Sequence, residues 1–259
     1  MESGLSWECA DHYRNLLLKL YETAKKWGYH PGPNPAAGVE LPEKTPVREK
    51  HIFELDQIPG LLTTLREPVR TIVTLGLLTG LRIGEILGLR WKDVDSGTGQ
   101  IRVTQASYRG LLGTPKTKHS KRSVPLPQAL QDELMRFRER SQATPEELVF
   151  HTASGRPYND SNLLHRELKP AGRKLGMPWR NFHTLRRTHA TLFQVAGGSL
   201  RDAQAQLGHS KMSTTLEIYT LPIPENQRAT VEKLSVLMAN DDKLDQNSEG
   251  LPLATQQIQ

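Results

Sequence analysis

A single cysteine, Cys9, stands among 259 residues, so no internal disulfide can form and no Cys pair is present to begin a zinc site. Apolar runs are short: IVTLGLLTGL, near residues 72–81, falls well below the roughly 20 residues that span a bilayer. The ESGLSWE that follows Met1 is not a basic-then-apolar leader. These absences lead to an expectation of a cytoplasmic protein with no membrane partner. Acidic residues are missing from one whole stretch: from Arg102 to Arg122 there is no Asp or Glu, while Arg102, Arg109, Lys116, Lys118, Lys121 and Arg122 all fall there. A segment charged in this way is either a solvated basic face or a surface for a polyanion, nucleic acid first.

The rest of the charge is also uneven. The net charge is +6, yet residues 240–259 carry −3 and the first 239 residues +9. A basic body with an acidic, polar tail is therefore expected. With 36% hydrophobic residues the chain can bury a substantial core.

Apolar residues recur at helical spacing from 5 to 28, and then HPGPNPAAGVELPEKTPV places five prolines where neither a helix nor a central strand can run. This reads as a linker. Helical patterns return in ELDQIPGLLTTL, in PVRTIVTLGLLT up to Gly80, and in RIGEILGLR running into WKDVD. Residues 101–126 change to β-branched residues and turn signals, as in a small antiparallel sheet. Helices are then expected at PQALQDELMRFRERS, NDSNLLHRELKPAGRKLG, FHTLRRTHATLFQVAGG, SLRDAQAQLG, STTLEIY and ENQRATVEKLSVLMA.

His183 and Arg186 are three apart on an expected helix and so share a face, where both can meet one anion. Arg82 follows the Gly80 turn at the start of another helix, whose free N–H groups favour negative charge. Guanidinium groups suit bidentate contact with phosphate oxygens. His209 and Tyr219 complete the set, ten residues apart. Taken singly, each residue also has an ordinary structural reading as a core histidine, a surface ion pair or a core tyrosine. Together they suit phosphoryl transfer through a covalent tyrosine, with arginines stabilising the charge on the nonbridging oxygens. Glu85 either braces an arginine or is a helix-surface carboxylate. A cysteine phosphatase is excluded, because the position that should hold arginine after Cys9 is Asn15.

TGLRIGE (79–85), PKTKHSKRSVPLP (115–127), HTLRRTHAT (183–191), LGHS (207–210) and Tyr219 resemble the successive boxes of the tyrosine recombinases, the phage integrase family. The resemblance covers residues 50–235 and implies a mainly α fold with a small antiparallel β-sheet. It implies a catalytic set of Arg82, Lys116, His183, Arg186, His209 and Tyr219, with Tyr219 the nucleophile, no cofactor and no metal. Lys116 best matches the family lysine, and Lys118 is the reserve. Arg102, Arg109, Lys118, Lys121 and Arg122 are expected along the DNA backbone. Two positions depart from the common family pattern, being Thr184 and Arg187 here.

The expected domains are 1–45, a remnant of the family's helical core-binding domain with its Pro-rich linker; 46–239, catalytic; and 240–259, a flexible acidic tail. The implied activity is site-specific cleavage and rejoining of double-stranded DNA through a 3'-phosphotyrosyl intermediate. In the family, four protomers act on paired sites, so a homotetramer on DNA is expected, with a helix at 224–239 packing in cis or on a neighbour. Two alternatives stand beside this reading: a type IB topoisomerase-like strand transferase and a truncated DNA-binding remnant without recombination activity.

Overall fold

The computed structural model describes residues 5–43, 51–113, 121–178 and 180–219, with the backbone alone at 217–219. The expected helix at 224–239 and the tail at 240–259 lie outside the described residues. The chain divides into two compact units, Met1–Lys50 and His51–Gln259.

In the first unit, helix α1 (Trp7–Lys26) begins at Ser6, whose side chain accepts from the backbone N–H of Cys9 and so satisfies one of the free donors at the helix start. The Pro-rich segment that follows forms turns, with neither helix nor strand through residue 43. It folds back along α1: Asn34 Nδ2 donates to Leu18 O at 3.0 Å, and Trp7 Nε1 donates to Pro42 O at 2.7 Å.

The second unit starts with α2 (Gln57–Thr64), α3 (Val69–Thr79) and the single-turn α4 (Ile83–Leu87). α3 is buried along much of its length and packs on α8 (Phe182–Val195). It ends because Gly80 turns left-handed at φ +66°, a conformation that L side chains rarely take. There is no room for a side chain either, since a Cβ at Gly80 would lie 2.5 Å from His189 Cδ2.

The WKDVD segment does not continue α4 as its pattern suggests. Trp91–Asp93 form a 3₁₀ turn leading into strand β1 (Val94–Asp95). Trp91 and Lys92 donate their backbone N–H groups to Glu147 O and Pro145 O, and the Trp91 ring is buried beside Phe137. These long-range bonds override the local helical pattern.

β1 pairs antiparallel with β2 (Gln100–Val103), and β2 with β5 (Arg122–Pro125), in the order β1-β2-β5. β3 (Ala106–Tyr108) and β4 (Leu111–Gly113) form a separate hairpin. In the three-stranded sheet Ile101 faces Val94 on one side and Val124 on the other, so alternate residues reach a core shared with Phe53, Ile72 and Phe150.

After α5 (Gln128–Ser141), the segment expected as one helix is α6 (Asp160–Leu163), a π turn at Leu164–Leu168 and α7 (Lys169–Lys174). Pro170 supplies no N–H to an α-helical ladder at this point, and the wider turn lies where that donor is missing. α8, α9 (Leu200–Leu207) and α10 (Met212–Tyr219) complete the described unit, and α10 packs on α8 and α9.

Candidate active site

Four side chains proposed from the sequence, Arg82, His183, Arg186 and His209, line one cavity of about 750 Å³. They come from three places: the N-terminus of α4, the first turns of α8, and the loop after α9.

Arg82 is the N-cap residue of α4. Its backbone N–H donates to Glu85 Oε2 at 2.9 Å, and its Nη1 donates to Glu85 Oε1 at 3.0 Å. Glu85 therefore braces the arginine, the first of the two readings its position allowed. The side chain of Arg82 is 39% exposed and keeps access to the cavity.

α8 starts at Asn181, whose side chain accepts from the Thr184 backbone N–H at 3.0 Å, while Thr184 Oγ1 accepts from the Asn181 backbone at 3.4 Å. Thr184 thus closes the start of the helix that presents His183 and Arg186.

Arg186 is buried, with 2% exposure. It donates to the carbonyl oxygens of Gly80 and Leu207 and lies 2.9 Å from His209 Nε2. Both carbonyls lie where a helix has ended in a left-handed glycine, Gly80 after α3 and Gly208 after α9. Burial, and then the charge of Arg82, bring the Arg186 guanidinium down to about 9, so it stays charged at neutral pH.

Burial and the same cations act on the histidines. Burial, followed by Arg186, Arg187 and Arg82, holds His183 below its ordinary value. Burial, followed by Arg186, Arg82, Arg122 and His183, takes His209 down to about 4. Both imidazoles are neutral at pH 7.

The five residues expected along DNA do not share one environment. Arg102 and Lys121 are exposed, and Arg102 donates to Lys92 O at 2.7 Å. Arg109 is exposed at the β3–β4 turn, with its guanidinium 5.3 Å from the Tyr108 ring centre. Lys118 lies outside the described residues, as does Lys116. Arg122 is the correction. Its side chain is 8% exposed, and it bonds through Nη2 and Nη1 to Glu85 at 2.8 and 3.0 Å and through Nε to Gln206 O at 2.7 Å. It is a bridge between β5, α4 and α9 rather than a DNA-facing residue. Strand alternation carried the signal, because Arg122, Val124 and Leu126 share the inward side while Lys121, Ser123 and Pro125 are exposed.

Tyr219 is the last residue of α10, and its side chain lies outside the described residues. His189, Gln206 and Thr215 were not singled out from the sequence. His189 Nδ1 meets Leu77 O at 2.9 Å and its Nε2 meets Gln206 Nε2 at 2.9 Å, which ties α8 to the end of α3 and to α9. Thr215, on α10, lies 3.0 Å from His209 Nδ1. The His189 contacts join segments distant in the chain, and the Thr215 contact runs from the loop after α9 to α10, six residues on, so none follows a helical or strand spacing. Among the described residues no group of three or more His, Cys, Asp or Glu side chains is placed to hold a metal ion.

Comparison with solved structures gives the class. The Tn1549 transposon integrase, solved in complex with transposon right end DNA, superposes with a TM-score of 0.74 at 22% identity, over 90% of this chain and 81% of that one. The fold is that of a tyrosine recombinase catalytic domain. The model of the phage integrase family matches residues 51–225, and the chain belongs to that family. A XerC-like tyrosine recombinase of Caldanaerobacter subterraneus subsp. tengcongensis is 30% identical, over 91% of this chain and 68% of its own length. The ICEBs1 integrase of Bacillus subtilis is 28% identical, over 92% of this chain and 68% of its own length. The protein is a site-specific recombinase of the tyrosine type; neither the topoisomerase-like reading nor the binding-only reading is favoured.

Proposed function

We propose that the cavity lined by Arg82, His183, Arg186 and His209 receives the scissile phosphate of double-stranded DNA and that Tyr219 attacks it. The observation that carries this reading is the convergence of two guanidinium groups and two neutral imidazoles from three separate chain segments on one cavity. The Tyr219 hydroxyl oxygen bonds to phosphorus, and the bond to the 5'-oxygen breaks. The tyrosine proton passes to neutral His183, and Lys116, or Lys118 in its place, protonates the departing 5'-oxygen. A 3'-phosphotyrosyl bond and a free 5'-hydroxyl result. Attack by another 5'-hydroxyl reverses the steps and joins a new strand, so the energy of the broken bond is retained and no high-energy cofactor enters.

Arg82 and Arg186 stabilise the charge on the nonbridging oxygens as the transition state forms, from positions fixed before DNA arrives. Four copies acting on two paired duplexes complete the proposal, each supplying one tyrosine.

A substrate nicked beside the scissile phosphate, which on cleavage loses the short fragment that carries the new 5'-hydroxyl, traps the covalent intermediate. The wild-type chain is expected to become attached to this DNA, and Tyr219→Phe is expected to bind it without attachment. Absence of any adduct with the wild-type chain would overturn the assignment.

A further inference from the structure

The contacts of His209 define a proton arrangement in the free protein that differs from the one needed to donate to a phosphate through Nε2. Arg186 Nη2 lies 2.9 Å from His209 Nε2, and a guanidinium has donors only, so Nε2 accepts and carries no proton. The ring is neutral, since burial and then the charges of Arg186, Arg82, Arg122 and His183 take it down to about 4. Its one proton is therefore on Nδ1, which donates to Thr215 Oγ1 at 3.0 Å. The assignment comes from the hydrogen-bond network rather than from a visible hydrogen.

A phosphate oxygen only accepts. For a neutral His209 to donate to it through Nε2, the proton must reside on Nε2, and Nδ1 must then accept. The group facing Nδ1 is a hydroxyl, which serves either partner by rotating its proton. Thr215 has no exposed surface, so bulk water does not stand in for it. The main chain of His209 is held independently: its N–H donates to Gln204 O at 3.2 Å and its carbonyl accepts from Gln204 Nε2 at 3.1 Å. Thr215 thus bears on the ring alone. It also sits on α10, one helical turn before position 219.

We infer that the Thr215 hydroxyl is a positioning group for strand cleavage, accepting from His209 Nδ1 in the free protein and donating to it once DNA phosphate takes Nε2. The bond survives the exchange, so α10 stays tied to the phosphate pocket in both states. This inference rests on the reading of the cavity as the phosphate site.

The test compares wild type with Thr215→Val, which keeps the shape and loses the hydroxyl, and Thr215→Ser, which restores it. Single-turnover attachment to the nicked substrate and equilibrium binding to the same DNA are measured for each. Thr215→Val is expected to attach about 10-fold more slowly with an affinity within about two-fold of wild type, and Thr215→Ser to recover most of the rate. Nitrogen-15 NMR of the His209 ring reads the proton directly: on Nδ1 in the free protein, on Nε2 in the uncleaved complex of the Tyr219→Phe variant. A Thr215→Val rate equal to that of wild type, or a Thr215→Ser rate as low as that of Thr215→Val, would overturn the inference. So would a proton on Nε2 in the free protein, whatever the activity. Failure of wild type itself to attach counts against the phosphate-site reading instead, and the NMR result on the free protein still decides the resting arrangement.

Discussion

Glu85 and Arg122 form an ion pair in the interior, with Arg122 Nη2 2.8 Å from Glu85 Oε2 and side-chain exposures of 8% and 5%. The same carboxylate holds Arg82 Nη1 at 3.0 Å. Burial alone would raise Glu85; the hydrogen bond and charge of Arg122, followed by those of Arg82, outweigh it and hold the carboxyl below its ordinary value. Glu85→Gln keeps the shape but leaves a guanidinium buried without its counter-charge. A loss of about 3 kcal/mol in unfolding free energy at neutral pH is expected, read from the midpoint of urea denaturation. An unchanged midpoint would mean that the pair only orients Arg82.

Acid should destabilise the fold well before carboxylates titrate. Burial holds His183, His189 and His209 below the ordinary 6.5, with His209 at about 4. Below 6.5 the unfolded chain binds protons that the folded chain refuses, so stability is full above 6.5 and falls as pH drops from there toward about 4. Glu85 adds a loss below 4.5, its folded value lying beneath that. Urea midpoints measured from pH 8 down to about pH 4 would show a plateau and then a decline. A midpoint that rises on acidification would contradict the burial of these rings.

Gly80→Ala tests the junction on which Arg186 rests. The residue has φ +66°, and the new Cβ would meet His189 Cδ2 at 2.5 Å and Leu207 Cδ2 at 2.9 Å. Left-handed strain and overpacking together predict a loss of about 2 kcal/mol or more, seen as a lowered thermal midpoint. Slower covalent attachment is expected even at temperatures where the variant is folded, because the Gly80 carbonyl is one of the acceptors fixing Arg186.

Lys121 and Arg109 are the exposed cations to probe for backbone contact with DNA. Lys121→Gln and Arg109→Asn, the latter chosen because asparagine tolerates the positive φ of 51° at this turn, should each weaken binding on every sequence. The slope of log K against log salt should flatten by roughly one unit for each lost contact. An unaltered slope would assign these side chains to solvent.

Truncation separates the two ends of the sequence beyond Tyr219. A chain ending at Asn240 is expected to attach to DNA as the full chain does, whereas one ending at Pro222 should lose folding or pairing of sites. The apolar spacing of Val231, Leu234 and Met238 motivates the difference, since such a helix face needs a surface to cover it. Equal recombination by both chains would remove the assembly role from residues 224–239.

The parts of the site that were legible in the sequence are those encoded at short range. His183 and Arg186 share a helix face by their spacing of three, and Arg82 is placed by the glycine that ends the preceding helix. Arg122 was assigned outward because a count of charge along the chain does not tell which side of a strand a residue occupies. Thr215 was not legible at all, since its partner His209 belongs to the loop before the helix and only packing brings the two together. In the fold, helix boundaries set by glycine and N-caps agree with the pattern. The Trp91 turn differs because its backbone bonds reach residues more than fifty positions away.

The two helix ends that hold Arg186 have an electrostatic consequence. A carboxylate that fixes an arginine also cancels its field, as Glu85 does in part for Arg82 and Arg122. Carbonyl dipoles fix Arg186 without supplying an opposing unit charge. Arg82 and Arg122 therefore act on the Arg186 guanidinium as repelling cations, offset in part by Glu85. The free protein bears the mutual repulsion of these cations as a standing strain. An entering phosphodiester relieves that strain, and the relief grows as negative charge accumulates on its oxygens during attack.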